Sequence, residues 1–348
     1  MITEIGSEFE YPTHDQLDAG GQLTQWIGAG KQAVTGGRQA LGLVAARLAA
    51  EGRRGVLVPD HHCESMTDPF TRHGLGVVTV PTTPDCLLDP DALDSTLTAH
   101  PGYPVLHSET FGTPADPDLT SVLDRARTGD HPVVVDRTHS LLGAPSWHGD
   151  YEVASLRKLL PTPDGAWVSG VEQTLTDDPV AAEFVRLRTL AARTKRDHLD
   201  QLCANEAHLE LFGQAEELLD QVADTAAMST NAAALLDRLN PERIRVARLR
   251  NATHVAAGLA DLGVRVANPH GWPNSPCYLV IRVPDAAALR RALVNESIYC
   301  PIHWPRPAQL GTSQHWRDDL LSLVIDQRYT LDDMDRLLAA LGPKVARH

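Results

Sequence analysis

The chain lacks paired cysteines and long apolar runs, and each shortage excludes a class of protein. No segment approaches the roughly 18 consecutive apolar residues that a transmembrane helix needs, so we expect no membrane partner. The cysteines are odd in number and have no CxxC spacing, so neither a disulfide framework nor a structural zinc site is expected. The five thiols, which we expect to be reduced, are Cys63, Cys86, Cys203, Cys277 and Cys300.

Positive charge is also scarce. The formal net charge is −14, which opposes binding to nucleic acid or to anionic lipid because few side chains can neutralise phosphates. Residues 1–12 carry Glu4, Glu8 and Glu10 and no basic cluster, a pattern that fits neither a secretory signal nor a mitochondrial transit peptide. A cytoplasmic location is therefore expected.

Lysine is the scarcest charged residue, with four among 31 basic side chains. One of them, Lys158, ends the string Ser155-Leu156-Arg157-Lys158, twenty-two residues after Asp136, which closes the apolar run 133–136. A lysine amine can form a Schiff base with an aldehyde, and an aspartate at the tip of a buried strand can keep a pyridine nitrogen protonated. The pair predicts pyridoxal 5'-phosphate anchored on Lys158, with Asp136 as the second catalytic residue.

Strands and helices alternate through the first half of the chain. Apolar runs predict strands at 55–59, 74–81, 103–107 and 132–136. Helical periodicity and helix-start residues predict helices at 37–51, at 118–127 and in a segment that begins at residue 89. This alternation predicts an α/β fold with a mostly parallel sheet covered on both faces, in three layers. Ligands bind at the carboxyl ends of such strands, so the expected site wall is His61, His62, Cys63, Glu109, Thr110, Asp136 and His139.

Three regions are expected along the chain. Residues 1–25 form an N-terminal arm, residues 26–200 the large α/β domain, and residues 201–348 an interdomain helix followed by a smaller α+β domain. In the last region, strands are predicted at 264–267, 277–283 and 320–325, and helices at 285–294 and 331–341.

Further cofactor contacts are expected around the lysine. Gly37 and Arg38 follow Thr35-Gly36 at a helix start, where unpaired N–H groups and the helix dipole favour an anion such as the cofactor phosphate. Ser155 can add a hydroxyl to the same phosphate. His139 can reach the phenolic oxygen or the ring face. The segment is not GxGxxG, so no dinucleotide site is expected.

His61-His62-Cys63 raises the possibility of a metal site, which we reject because neighbouring side chains diverge and rarely chelate one ion. His62 or Cys63 is instead expected to lie over the cofactor ring.

The loop 300–305 either closes on substrate or packs between domains. The candidate substrate contacts are two residues of this loop, His303 and Trp304, together with Glu109 and Arg157.

These motifs together resemble the fold-type I pyridoxal phosphate enzymes, and most closely the DegT/DnrJ/EryC1/StrS aminotransferases. Phe111-Gly112-Thr113-Pro114-Ala115-Asp116 is similar to the family's YGxPAD turn, and residues 135–143 are similar to its EDAAH/Q-ALG segment. Residues 155–165 resemble its lysine segment, and 302–305 and 321–326 its H-x-P and LSLPI elements. The chain departs from the family in the serine, which precedes the lysine by three residues instead of five, and in an asparagine absent near residues 225–229.

The resemblance implies a homodimeric aminotransferase that moves an amino group from a small donor to a small keto or aldehyde acceptor, in secondary or sugar metabolism. It also implies that Asp136 contacts the pyridine nitrogen and His139 the phenolic oxygen. Three alternatives stay open: a lyase, decarboxylase or racemase on the same scaffold, a barrel aldolase or amidohydrolase using Lys158 with His107, and a non-catalytic effector-binding module.

Overall fold

The computed structural model describes residues 4–17, 20–145, 147–202, 206–306 and 316–345. Cys203 lies outside these ranges. In the described part of the chain the strands are β1 (Ile5–Gly6), β2 (Lys31–Val34), β3 (Gly55–Pro59), β4 (Gly76–Val80), β5 (Val105–Ser108), β6 (Val133–Asp136), β7 (Tyr151–Ser155), β8 (Ala166–Ser169), β9 (Leu279–Arg282), β10 (Ile298–Tyr299) and β11 (Leu320–Leu323).

The helices of the same ranges are α1 (Leu23–Trp26), α2 (Gly37–Ala50), α3 (Glu64–Arg72), α4 (Pro90–Ala99), α5 (Pro117–Thr128), α6 (Pro179–Leu199), α7 (Ala207–Leu219), α8 (Thr230–Leu236), α9 (Pro241–Asp261), α10 (Gly271–Asn274), α11 (Ala286–Val294) and α12 (Leu331–Val345). Several begin at an aspartate followed by proline. In α4 and α5 the side chains of Asp89 and Asp116 accept a hydrogen bond from a first-turn N–H, which satisfies a donor that has no partner within the helix.

Seven strands form the central sheet, in the order β2-β8-β7-β6-β5-β3-β4. Strand β8 is antiparallel to both of its neighbours, and every other pair in the sheet is parallel. The inner strands are buried along their whole length, as parallel strands covered on two faces must be.

Side chains alternate between the two faces of this sheet. Leu106 and Val134 pack with α2 and α3 on one face, and Val105 and Val133 pack with α4 and α5 on the other. The expected three-layer, mostly parallel architecture is confirmed.

A smaller α+β unit follows in the C-terminal part. Strands β9 and β11 pair antiparallel, and α9, α11 and α12 pack in one apolar core with them. Strand β1 pairs with β10, so Ile5 is fully buried in this C-terminal core. The predicted limits at residues 25 and 200 stay predictions.

The element predictions hold for the long periodic segments and are wrong for some short ones. Residues 55–59 form β3 as expected, but residues 264–267 contribute only a single bridge, Val266 to Ile281. Strands β2, β7 and β8 were not predicted. No helix in the described ranges is long and apolar enough to cross a membrane.

Candidate cofactor and substrate site

Three polar side chains meet at the carboxyl edge of the sheet. Ser108 at the end of β5 lies opposite Asp136 at the end of β6, and Ser155 ends β7 on the other side of Asp136. Because these strands are parallel, their carboxyl ends share one edge. The side chains of Ser108, Asp136 and Ser155 face one cavity.

The lysine loop follows β7 and is anchored by its leucines. Leu156, Leu159 and Leu160 are fully buried, and the Leu156 N–H donates to the Gly165 carbonyl at 2.9 Å. With these three side chains in the core, Arg157 and Lys158 point the other way. Lys158 makes no ion pair or hydrogen bond with any residue that the structure describes, and its side chain lines two adjacent cavities.

The first cavity has a volume of about 260 Å³ and is lined by polar and apolar groups. Its lining includes many of the expected cofactor residues, namely Gly37, Arg38, Cys63, Asp136, His139, Ser155 and Lys158. Two of the expected substrate contacts, Arg157 and Trp304, line it as well.

Asp136 is held in place by the turn that follows it. Its Oδ1 accepts the Thr138 N–H at 2.8 Å, and the side chain is buried. The Thr138 hydroxyl oxygen in turn accepts the Ser155 N–H at 3.1 Å, which ties the aspartate turn to the start of the lysine loop. The second carboxylate oxygen of Asp136 is the one left for a ligand in the cavity.

His139 is neutral. Burial, with the nearby charges of His303 and Lys158, holds its pKa well below 6.5. Its Nδ1 accepts the Phe111 N–H at 3.1 Å, so the ring proton lies on Nε2, which is a hydrogen-bond donor. The Trp304 ring lies nearly parallel to the imidazole, at 7° and 6.0 Å between centroids.

An anion cradle lies at the start of α2. Gly36 caps this helix in extended backbone, and a Cβ added to Gly37 would lie only 3.2 Å from the Ser155 Cβ. The close approach brings the unpaired N–H groups of the first helical turn near the serine hydroxyl, and such groups bind phosphate. Arg38 adds a guanidinium to the same wall, where it pairs with Asp220.

Two expected site residues lie elsewhere. His62 does not line either cavity, because its Nδ1–H donates to the Pro59 carbonyl at 2.7 Å, and of the two expected ring contacts only Cys63 reaches the wall. Glu109 is also away from both cavities, where it pairs with buried Arg137 at 3.0 Å. Both assignments stay predictions. No group of three or more potential metal ligands is found among the described residues.

The second cavity, of about 490 Å³, adjoins the first at Arg157 and Lys158. His303 lines it, with Nδ1 2.8 Å from the Ser322 hydroxyl oxygen, and burial with the Lys158 charge lowers its pKa to about 3. Its neighbour Trp304 lines the first cavity instead, so the two residues of this loop serve different cavities. His61 stabilises this loop, because its Nε2–H donates a hydrogen bond to the His303 carbonyl.

Sequence reasoning missed two residues of this region. Tyr278 lines the second cavity with its ring centroid 4.7 Å from that of His303, and burial raises its pKa well above 10, so the phenol keeps its proton. No motif marks it. Glu216 lines the first cavity from α7, on a helix face whose sequence reads as solvent-exposed.

The residues of the first cavity fit pyridoxal phosphate. The glycine cradle and Ser155 suit the phosphate, Asp136 suits a protonated ring nitrogen, and the Nε2–H of His139 suits an anionic oxygen. Lys158, with no competing carboxylate in the described residues, is placed for attachment. The fold and the residues of this cavity fit the class of pyridoxal phosphate enzymes.

Comparisons with known proteins agree with this class. The model of the family Aminotransferase class I and II matches residues 2–160. The aminotransferase TlmJ from Streptoalloteichus hindustanus has a similar structure, with a TM-score of 0.69, 18% identity, and coverage of 99% of this chain and 100% of that chain. No curated protein sequence matches this chain.

Two further solved structures are similar. A DegT DnrJ EryC1 StrS aminotransferase from Brucella abortus has a TM-score of 0.62 at 18% identity, over 93% of this chain and 88% of its own. The sugar aminotransferase CalS13 from Micromonospora echinospora also has a TM-score of 0.62 at 18% identity, over 94% of this chain and 93% of its own. By fold, this chain is a fold-type I protein similar to the DegT/DnrJ/EryC1/StrS aminotransferases, as its motifs indicate.

Proposed function

We propose that this protein is a pyridoxal phosphate-dependent aminotransferase that transfers an amino group to a small keto or aldehyde intermediate of secondary or sugar metabolism. The observation that carries the proposal is Lys158, which lines both cavities and lies beside His139 and Asp136 in the first. The sugar aminotransferase named among the structural relatives supports the acceptor class.

The cofactor, when bound, supplies an aldehyde carbon that combines with amines and an electron-poor ring that stabilises negative charge at the adjacent carbon. Lys158 Nζ would hold the group covalently. When it is free, the same nitrogen would take a proton from the substrate Cα and return one as general acid and base.

The other residues bind and orient the group. The Asp136 carboxylate accepts the ring N–H and keeps that nitrogen protonated. The His139 Nε2–H donates to the phenolic oxygen. Because the lowered pKa keeps the imidazole neutral, its protonation state does not change near pH 7. Gly37, Ser155 and Arg38 hold the phosphate, while Cys63 packs on the ring face.

Substrate binds in the second cavity, on the far side of Lys158. Arg157 and His303 line this cavity beside the lysine. We further propose a homodimer, which the resemblance implies, and a cytoplasmic location. Size-exclusion chromatography with light scattering measures this state.

Borohydride reduction tests the proposal. Protein incubated with pyridoxal phosphate and reduced should carry a pyridoxyl adduct on the peptide that contains Lys158, and Lys158→Ala should abolish that adduct. Lys344→Ala, a change on α12 remote from both cavities, is the matched control. An adduct absent from Lys158 in the parent protein would overturn the proposal.

The reaction type has its own readout. Addition of amino donors to the holoenzyme should release pyridoxamine phosphate together with a keto acid. Product formation from an amino acid without pyridoxamine phosphate would assign the protein to the lyase, decarboxylase or racemase class instead.

A further inference from the structure

The second cavity lies between three parts of the chain. The N-terminal arm contributes residues 6–9, the lysine loop contributes Arg157 and Lys158, and the C-terminal unit contributes the rest of the wall. Its cationic lining residues are Arg157, Lys158, Arg248, Arg290 and Arg328, against the carboxylates of Glu8 and Asp326. The cavity is therefore positive in a chain whose net charge is −14.

Several of these cations are engaged in the protein. Arg328 pairs with Asp326 at 2.8 Å and with Glu10 at 2.9 Å. The buried Arg248 donates to carbonyl oxygens and to Gln327. Arg290, which is exposed on α11, has no ion pair with a described residue, and Arg157 pairs with a single carboxylate, so these two arginines keep donors for a ligand.

Arg157 is held by one carboxylate in a two-bond geometry. Its Nη1 and Nη2 donate to the two oxygens of Glu216 at 3.0 and 3.1 Å. A guanidinium has five N–H groups in a fixed plane, so three remain for a ligand once the fork is set. Arg157 precedes Lys158 directly, and both residues line both cavities.

Glu216 is fixed in turn by a chain of charges that ends in the arm. Arg188 donates to Glu216 Oε1 at 2.6 Å and to Glu8 Oε2 at 2.7 Å, and its side chain is 4% exposed. Burial raises the pKa of Glu8, but the charges of Arg188 and Arg157 outweigh burial and lower it, so Glu8 stays ionised. The series Glu8, Arg188, Glu216, Arg157 alternates in sign and connects the arm, α6, α7 and the lysine loop.

We propose that Arg157 binds an anionic group of the substrate, a carboxylate or a phosphate, in the second cavity, and that Glu216 is the positioning residue that sets the plane of its guanidinium. Glu8 and Arg188 couple the N-terminal arm to this position. This inference rests on the proposed function, since it assigns Arg157 to the substrate of Lys158. Arg290 provides a second cation for the same group at the mouth of the cavity.

Anion titration of the cofactor-saturated holoenzyme tests the inference. Glutarate and inorganic pyrophosphate are the probes, and calorimetry measures their dissociation constants for the parent, Arg157→Gln and Glu216→Gln. We expect the Kd of the preferred probe to rise about tenfold or more in both variants, because the bidentate fork is removed or released. Glu217→Gln, on the next residue of α7 and with an exposed side chain, should bind as the parent does.

The two probes identify the source of the anion. Tighter binding of glutarate indicates a carboxylate substrate, and tighter binding of pyrophosphate a phosphorylated one. Parent-like Kd values of both probes for Arg157→Gln and Glu216→Gln, or the absence of binding to the parent, would overturn the inference.

A steady-state split separates positioning from a structural role. With any substrate that turns over, Glu216→Gln should raise KM about tenfold and leave kcat within the range of Glu217→Gln, while Tm should fall because the buried Arg188 loses one of its two carboxylate partners. A fall in Tm and cofactor occupancy with unchanged KM would instead assign Glu216 a structural role. The borohydride adduct reports on the cofactor separately, so failure of the anion site and failure of the proposed function give different results.

Discussion

The two cavities beside Lys158 are built in different ways. In the first, the contacts that hold Asp136 join residues close in sequence: its carboxylate accepts from Thr138 two positions on, and the Thr138 hydroxyl accepts from Ser155 seventeen positions further on. In the second, contacts join distant segments. Arg188 reaches Glu8 across 180 positions, and Arg328 reaches Glu10 across 318.

This difference indicates which interactions maintain the shape of each cavity. The first is a property of parallel strands that end at one edge, and its polar groups are satisfied by turns of the same sheet. The second depends on buried ion pairs between the arm, the helices α6 and α7 and the C-terminal unit. Such pairs cost much when one partner is removed, because a buried charge is left uncompensated. The second cavity should therefore be the one that acid or loss of the arm disturbs.

The largest expected effect is the loss of the lysine. Lys158→Ala should lower kcat by about 10³-fold or more, because both the attachment point and the proton-transfer group are removed. Stopped-flow or coupled assays of amino transfer measure the loss. Turnover within tenfold of the parent would contradict the assignment, and Lys344→Ala should be indistinguishable from the parent.

Asp136→Asn is the next largest. The amide oxygen still accepts the Thr138 N–H, so the turn is kept, while the negative charge that holds the ring nitrogen protonated is lost. We expect kcat to fall about 10²-fold, the range for a lost acid–base or electrostatic contribution, with little change in Tm. Asp91→Asn on exposed α4 is the control, and equal kcat values in the two variants would count against the role of Asp136.

Glu10→Gln removes a carboxylate that pairs with Arg328, a lining residue of the second cavity. The same carboxylate also pairs with Arg196, and the substitution should lower the free energy of unfolding by about 3 kcal/mol, the lower end for breaking a buried pair. Denaturant unfolding measures this change. Glu183→Gln, which breaks a surface pair with Arg186, should cost less than about 1 kcal/mol.

The contribution of Glu10 to the free energy of unfolding should depend on pH. Burial raises the pKa of Glu10, but the charges of Arg328 and Lys195 outweigh burial and hold it below its usual 4.5. The folded state thus keeps this carboxylate charged where the unfolded chain already binds a proton. The stabilisation is complete above pH 4.5 and is lost as the pH falls through the lowered pKa. The stability gap between parent and Glu10→Gln should shrink over that acid range; a gap that widens there would contradict the assignment.

Gly37→Ala should have the smallest effect of the four. The new Cβ would lie 3.2 Å from that of Ser155, which narrows the phosphate cradle, and we expect cofactor affinity to fall about tenfold. Fluorescence titration with pyridoxal phosphate measures this change. Gly28→Ala, with no atom within 4 Å of its Cβ, is the control. Equal affinity of the two variants would remove Gly37 from the cradle.

The cofactor cavity was largely predictable because its signals are local. Asp136, His139 and Lys158 follow a valine strand within twenty-two residues, and the glycine start of α2 is a sequence signature of an anion site. Cys63 and Trp304 also reach the cavity. Of these, Trp304 was expected at the substrate instead.

The contacts of Glu109 could not be predicted, because the sequence shows that a residue follows a strand but not on which face its side chain lies. Side chains alternate along β5, so Ser108 faces the cavity, while Glu109 pairs with Arg137 away from it. The ring of His62 turns back to Pro59, which the sequence does not show either. Glu216 gave no signal, because an acidic residue on an amphipathic helix is ordinarily solvated.

The alternation of strands and helices and the carboxyl-edge position of Asp136 could be predicted from the sequence, because they follow from periodicity and from neighbours in the chain. The series of ion pairs beside the second cavity is visible only in the folded chain. Glu8, Arg188, Glu216 and Arg157 come from four separate segments. Their pairing depends on how those segments pack, and no local pattern records a contact between charges nearly two hundred residues apart.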